Sequence, residues 1–205
     1  MLIKGMEVGS FAANCYMLAC EETREGVLID PGAEAAQILA MVKEANVNIT
    51  YIINTHGHFD HTGANEDVRK ALGVPLLIHE ADGELYSNPT ESLTIFSRHE
   101  TLAQADRFLQ DGQQLHVGKL TVTVIATPGH TKGSICLQVE DSLFSGDTLF
   151  AGSIGRTDLP GGSFDEIIPS IMEKLLTLPS HTVVYPGHGP QTTIGEEIEH
   201  NPFLR

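Results

Sequence analysis

Thr55-His56-Gly57-His58-Phe59-Asp60-His61 crowds three imidazoles and one carboxylate into positions 56 to 61, directly behind the apolar run Tyr51-Ile52-Ile53. Each of those four side chains is a good ligand for zinc or a similar divalent ion, and little else in protein chemistry needs such crowding. A chain with this cluster has to end a strand there and bring up further ligands from elsewhere. His56 and His58 are two apart in an extended segment, so period-2 geometry puts both rings on one side, where they can share one ion. Asp60 and His61 come as the chain turns into a helix and point elsewhere, which suits a second ion close by. Phe59 interrupts the polar series and is expected to pack inward.

Three later residues share one context, a glycine-marked turn after an apolar strand. They are His130 in Thr127-Pro128-Gly129-His130-Thr131, Asp147 in Phe144-Ser145-Gly146-Asp147 and His188 in Tyr185-Pro186-Gly187-His188-Gly189. In layered α/β proteins, sites assemble at strand ends. A single His or Asp at a turn is usually a cap, a turn former or a solvated side chain. Four such turns in one chain point instead to one metal centre. On this reading His56, His58 and His130 bind one ion, Asp60, His61 and His188 the other, and Asp147 bridges. A water shared by two dications loses its proton near neutral pH, and the ions polarise a carbonyl and stabilise its oxyanion. The implied chemistry is hydrolysis of an ester, thioester, amide or phosphoester by a metal-bridging hydroxide, with Asp60 positioning that nucleophile. Two divalent ions are expected; zinc is the first choice, although the N/O donor set suits iron and manganese as well. The other five histidines (His79, His99, His116, His181 and His200) lack such contexts and are expected to be structural or solvated.

The frame around these turns alternates strands and helices. Residues 2–8, 12–20 and 25–29 read as strands, 33–46 as an amphipathic helix, 49–54 as the strand that delivers the histidine cluster, 62–72 as a helix and 75–78 as a short strand. In the second half, 114–127, 134–139, 142–145 and 181–185 read as strands, with helices at 164–178 and 196–201. Between the halves, 80–111 reads as an irregular excursion with helical pieces at 81–86 and 103–109, a candidate lid or binding loop. The simplest packing is one mixed α/β domain over residues 1–205 with two sheets.

Composition excludes some partners. Acidic residues outnumber basic ones 27 to 12, a formal charge of −15. That argues against nucleic acid or an anionic membrane as a partner. No apolar run approaches the ~18 residues a membrane span needs, and Met1-Leu2-Ile3-Lys4 reads straight into a strand with no signal-peptide layout. Three cysteines (Cys15, Cys20 and Cys136) with no CxxC are expected as buried free thiols in a reducing, cytoplasmic setting.

The run His56-Gly57-His58-Phe59-Asp60-His61, followed in order by His130, Asp147 and His188, resembles the metallo-β-lactamase superfamily over nearly the whole chain. The resemblance implies a four-layer αββα sandwich of two mixed sheets flanked by helices, with the metal site at one edge of the sheets. Thr127-Pro128-Gly129-His130-Thr131-Lys132-Gly133-Ser134, Ser145-Gly146-Asp147-Thr148-Leu149-Phe150 and Gly155-Arg156-Thr157-Asp158 are similar to the glyoxalase II branch. The ending Gly187-His188-Gly189-Pro190, Thr192-Thr193-Ile194-Gly195-Glu196-Glu197 and Asn201-Pro202-Phe203-Leu204 points to its short bacterial relatives. Members hydrolyse S-D-lactoylglutathione, so a small-molecule thioester is the implied substrate. Full-length members carry a further C-terminal helical region whose basic residues help hold glutathione; this chain reaches only to Arg205, which leaves glutathione dependence open. Arg156 is the basic residue of a matching loop and a candidate contact for an anionic substrate group. Asp30 matches a position behind the ligands, where a carboxylate can hold a histidine ring by its other nitrogen.

The nearest rival is a persulfide dioxygenase, which shares the Gly-Arg-Thr-Asp element and uses a single iron on the equivalents of His56, His130 and Asp147. A lactonase or β-lactamase of the same fold is a second, and a metal-binding protein without turnover is the third.

Overall fold

Side-chain alternation along the strands decides the layering. The computed structural model describes residues 1–88 and 104–205. In its first half, β1 (Leu2–Val8), β2 (Ala13–Ala19) and β3 (Glu25–Ile29) lead into helix α1 (Ala35–Ala45) and β4 (Asn48–Ile53). Then follow α2 (Phe59–Thr62), α3 (Asn65–Leu72), β5 (Leu76–His79), a helical turn at Glu80–Asp82, α4 (Gly83–Ser87) and β6 (Arg107–Leu109). The second half holds β7 (Gln114–Val117), β8 (Leu120–Ala126), β9 (Ile135–Val139), β10 (Ser142–Gly146) and the small ribbon β11 (Leu149–Phe150) with β12 (Ser153–Ile154). It closes with α5 (Phe164–Pro169), a wider-turned helix over Ser170–Leu175, β13 (Val183–Pro186), β14 (Thr192–Thr193) and α6 (Ile194–His200).

Two six-stranded sheets result, in the orders β1-β2-β3-β4-β5-β6 and β14-β13-β10-β9-β8-β7. Both are mixed. The first is antiparallel from β1 to β3 and parallel from β3 to β6, and in the second only β10 and β13 pair in parallel. Tyr16 and Leu18 of β2, and Cys20 just after it, face a layer shared with Val122, Val124, Leu137 and Phe144 of the other sheet. Cys15, Met17 and Ala19 face the opposite way, onto Ile38 and Val42 of α1 and Val68 of α3. On the far side, Cys136, Leu143 and Val184 pack against Ile167, Ile171 and Leu175. The expected αββα sandwich is thus built from three apolar layers, each fully buried Leu, Ile or Phe contributing roughly 1.5–3 kcal/mol. All three cysteines are buried and free. Among the described residues no helix is long and apolar enough to cross a membrane.

Several expectations need correction. The strand read over 114–127 is a hairpin, β7 and β8, pairing antiparallel around the tight Gly118-Lys119 turn. Residues 107–109 of the expected helix at 103–109 form β6 instead, an edge strand parallel to β5. Helix 164–178 changes pitch at Pro169, which has no N–H to donate and whose ring crowds the preceding turn. The chain relaxes into wider turns there, with Leu176 N–H donating to the Ile171 carbonyl. Residues 89–103, the middle of the candidate lid, lie outside the described residues.

Candidate metal centre

All four donor-bearing turns follow strands, β4, β8, β10 and β13, as the spacing predicts, with Asp147 directly after β10. The β4 strand releases the chain at Asn54, the backbone bends at Thr55 and His56, and α2 starts with His58 as its cap in an extended conformation. That change of backbone sends Asp60 and His61 in a different direction from His56 and His58. Asn54 stabilises the turn by donating its side-chain amide to the His61 carbonyl at 3.0 Å, and Thr62 Oγ1 donates to the His58 carbonyl at 3.0 Å. Opposite, β2 clamps the His188 turn. The Asn14 side-chain amide donates to the carbonyls of Pro186 (2.9 Å) and Gly189 (3.0 Å), and Tyr16 Oη donates to the Pro186 carbonyl at 2.8 Å.

The structure brings all seven sequence-predicted ligands together. His56, His58 and His130 offer ring nitrogens within 4.8 Å of one another, and so do the donor atoms of Asp60, His61 and His188. His58 Nδ1 lies 2.9 Å from His130 Nε2, and His61 Nε2 lies 3.1 Å from His188 Nε2. Asp147 sits between the two groups, with Oδ1 at 3.3 Å from His61 Nε2 and Oδ2 at 3.6 Å from both His130 Nε2 and His188 Nε2. Asp60 Oδ2 is 3.3 Å from His188 Nε2. A third grouping, Asp30 with His56 and His61, is equally tight. The Asp30 carboxylate is already engaged from behind, however, accepting from Thr55 N–H (2.7 Å) and Thr55 Oγ1 (2.6 Å).

The far nitrogens show how the rings are aimed. His61 Nδ1 meets Asp30 Oδ2 at 3.1 Å, the relation expected of Asp30 from sequence. His130 Nδ1 donates to the Arg156 carbonyl at 2.8 Å, His188 Nδ1 to the Phe11 carbonyl at 3.1 Å, and His56 Nδ1 faces Thr55 Oγ1 at 3.1 Å. Each partner fixes a tautomer that leaves Nε2 free to act as a donor toward a cation. Asp30 takes a left-handed backbone at φ 52° to reach this position, a conformation Asp tolerates better than most residues.

Electrostatics separates the two groups. Burial, reinforced by neighbouring imidazoles, holds His56 well below its usual pKa and His58 down to about 3, so both rings are neutral at pH 7. Burial would lower His61 too, but Asp147, Asp30 and Asp60 outweigh it and hold the ring up to about 10. His188 is raised against the same burial by its bond to Asp60 and the charge of Asp147. Burial favours the neutral form of Asp60, yet His188 and His61 bring its pKa well below the ordinary carboxylate range. His56 Nε2, His58 Nε2 and Asp147 Oδ1 are buried with no hydrogen-bond partner among the described residues. Each such atom costs roughly 1–3 kcal/mol. A five-imidazole, two-carboxylate donor set with orphaned buried atoms fits divalent cations.

Two expectations shift here. Phe59 is half-buried rather than packed inward, and its ring meets the exposed ring of Phe11 edge-on, with centroids 5.2 Å apart. The Arg156 guanidinium points to the surface in a two-pronged pair with Asp158, at 2.8 Å for both contacts, and what this residue brings to the centre is its carbonyl. Of the remaining histidines, His79 caps the turn at Glu80, His181 and His200 lie beside Asp141 and Glu196 at the surface, and His116 faces Thr121; His99 lies outside the described residues. Thr55, Asn14 and Asp82 support the centre without having been singled out in the sequence.

Known proteins share this fold. The profile of the metallo-beta-lactamase superfamily matches residues 8–188. Hydroxyacylglutathione hydrolase GloC of Haemophilus influenzae is 36% identical, the alignment covering 100% of this chain and 98% of GloC. The crystal structure of BLEG-1 B3 metallo-beta-lactamase superposes with a TM-score of 0.92 at 38% identity, covering 99% of each chain. The structure of TTHA1623 in a di-iron-bound form does so at 0.86 and 35%, covering 98% of this chain and 100% of the other. The chain belongs to the metallo-beta-lactamase superfamily.

Proposed function

We propose that this superfamily hydrolase is a thioesterase of glyoxalase II type, cleaving a small thioester such as S-D-lactoylglutathione at a centre of two divalent ions. The observation that carries the reading is the convergence of two three-donor groups on Asp147, every donor except His58 and the carboxylates being aimed by a bond at its far nitrogen. His56, His58 and His130 would hold one ion and Asp60, His61 and His188 the other, with zinc first and iron or manganese compatible with the donors. When bound, such ions supply an acidified water and Lewis-acid polarisation of the scissile carbonyl. The chain's own residues then do the orienting. His56 and His58, neutral by burial, leave the first ion's charge uncancelled and thus strongly polarising. Asp60 is too weak a base to take a proton near neutrality, so it accepts a hydrogen bond and fixes the direction of the attacking water. The likeness to GloC supports the choice of thioester, and the buried free thiols support a reducing, cytoplasmic setting.

A second reading, β-lactam hydrolysis, is favoured by the likeness to BLEG-1. Elemental analysis and turnover on one sample separate the readings. Two ions per chain with hydrolysis of S-D-lactoylglutathione is the expected result. Nitrocefin turnover without thioesterase activity would favour the lactamase, and oxygen consumption on glutathione persulfide with one iron per chain would replace both. His58→Ala should remove most metal and nearly all activity, while Asp60→Ala should mainly empty the second position. Two ions retained in both variants would contradict the ligand assignment.

A further inference from the structure

The His56–His58 turn and the His130 turn come from different sheets, yet one carboxylate outside both binds them together. Asp82, at the end of the helical turn after β5, is fully buried. Its Oδ2 accepts from Gly57 N–H at 2.9 Å and from Thr131 Oγ1 at 2.8 Å, and its Oδ1 accepts from Gly133 N–H at 2.7 Å. Gly57 lies between two of the imidazole donors, and Thr131 and Gly133 directly follow the third. The approach is close enough that a Cβ on Gly133 would stand 2.5 Å from the Asp82 backbone nitrogen. Among the described residues no Lys or Arg forms an ion pair with Asp82; burial pushes its pKa up, and the three hydrogen bonds, with His130 nearby, offset part of that rise. Leaving water costs a charge several kcal/mol, which makes this an expensive way to hold two turns unless the charge itself is used.

We infer that Asp82 is the positioning residue of the first ion's three histidines, holding both of their turns in register and placing a carboxylate behind a donor group made of imidazoles. The second group needs no such device, because Asp60 is one of its ligands and Asp30 stands behind His61. Asp82 would therefore do through backbone amides what Asp30 does through a ring nitrogen. This inference rests on the two-ion reading above.

The test is titration of metal-free protein with Co²⁺ against a chromophoric chelator, following the d–d spectrum. His58→Ala and Asp60→Ala identify which binding constant belongs to which group. Asp82→Asn keeps the shape and removes the charge. It should weaken the first constant by about 10- to 100-fold, the range typical of groups that hold a ligand, and alter the first site's spectrum. The second constant should stay within about twofold of wild type on the same scale. Thr131→Val, which keeps the carboxylate and both amide bonds, should give a smaller loss confined to the first constant, and it decides the matter if Asp82→Asn does not fold. Equal loss at both positions, or no loss at either, would overturn the inference. A wild type that takes up one ion only would overturn the two-ion reading itself, a different result from two ions bound normally in both variants.

Discussion

Gly187 shows how little room the centre leaves at the scale of a single atom. A Cβ at this position would stand 2.2 Å from Asp147 Oδ1 and 2.9 Å from His61 Cε1, distances that side chains do not adopt. Its backbone lies outside the left-handed region, so the requirement is for space and not for conformation. Gly189, two residues on, is the converse: φ is +72° and nothing stands within 4 Å of its missing Cβ. The two substitutions should therefore separate. Gly187→Ala should displace Asp147, lower ion uptake and reduce kcat at least about 10-fold, equivalent to ~1.4 kcal/mol. Gly189→Ala should cost only backbone strain, about 1 kcal/mol of stability, with both ions kept. Metal titration and thermal melts on the pair decide; a Gly187→Ala protein with two ions and wild-type turnover would show that the turn can give way.

At the scale of elements, the His130 turn inherits its position from a clamp on the end of β8. Asp111 accepts from Ala126 N–H at 2.7 Å and from Lys174 Nζ at 2.9 Å, while the same ammonium donates to the Ala126 carbonyl at 2.8 Å. This ties β8 to the helix after Pro169. Burial pushes the Asp111 pKa up, but Lys174 and the Ala126 amide more than offset it, and the net shift is downward. A folded pKa below the unfolded one gives stability that is present above the unfolded value, about 3.9, and lost as pH falls through the folded value. Asp111→Asn should thus flatten part of the acid limb of the stability curve and cost less than ~1 kcal/mol at pH 7, because the pair is largely solvent-exposed. Denaturant unfolding at pH 3 to 7 would show parallel curves if the clamp carried no proton-linked stability. The same scale explains what could be read in the sequence. The seven donors that the structure brings together are legible because each sits beside a turn signal at a strand end, whereas Asp30 is read from the family resemblance. The Gly118-Lys119 hairpin is hidden because only two residues separate the alternation of Leu115 and Val117 from that of Leu120 and Val122, so the change of phase between them is easily read through. The edge strand β6 was missed because three residues pairing with one neighbour leave almost no pattern. Asp82-Gly83 repeats the signature of an acidic residue beside glycine just beyond a strand, but it lies in the stretch where polar content masked the elements around it. Phe59 followed the rule for apolar residues, and what overrode it was the neighbouring ring of Phe11 in a loop that sequence spacing could not place.

Across the whole molecule, the candidate donors are divided between the sheets. His56, His58, Asp60 and His61 follow β4 of the first, and His130, Asp147 and His188 follow β8, β10 and β13 of the second. The layer of Leu18, Ile29, Ile53, Val124, Leu137 and Phe144 joins the same two sheets by burial alone. Bound ions would add a second fastening at the sheet edge and offset part of the formal −15 charge where carboxylates crowd. Donors spread from residue 56 to 188 come together only in the folded chain, so ion binding should stabilise the folded state by linkage: about 2.7 kcal/mol for each ion present at 100 times its dissociation constant. For a chain of this size ~1 kcal/mol moves Tm by roughly 2–4 °C, so a chelator should lower Tm by at least about 5 °C. His58→Ala should shrink that difference. Leu137→Ala should cost about 2–5 kcal/mol with or without chelator, because it acts on the layer and not on the edge. Scanning calorimetry of the three proteins, with and without chelator, separates the two fastenings. An unchanged Tm in wild-type protein that has demonstrably lost both ions would mean the centre is held entirely by the sheets, and that the ions do not join them.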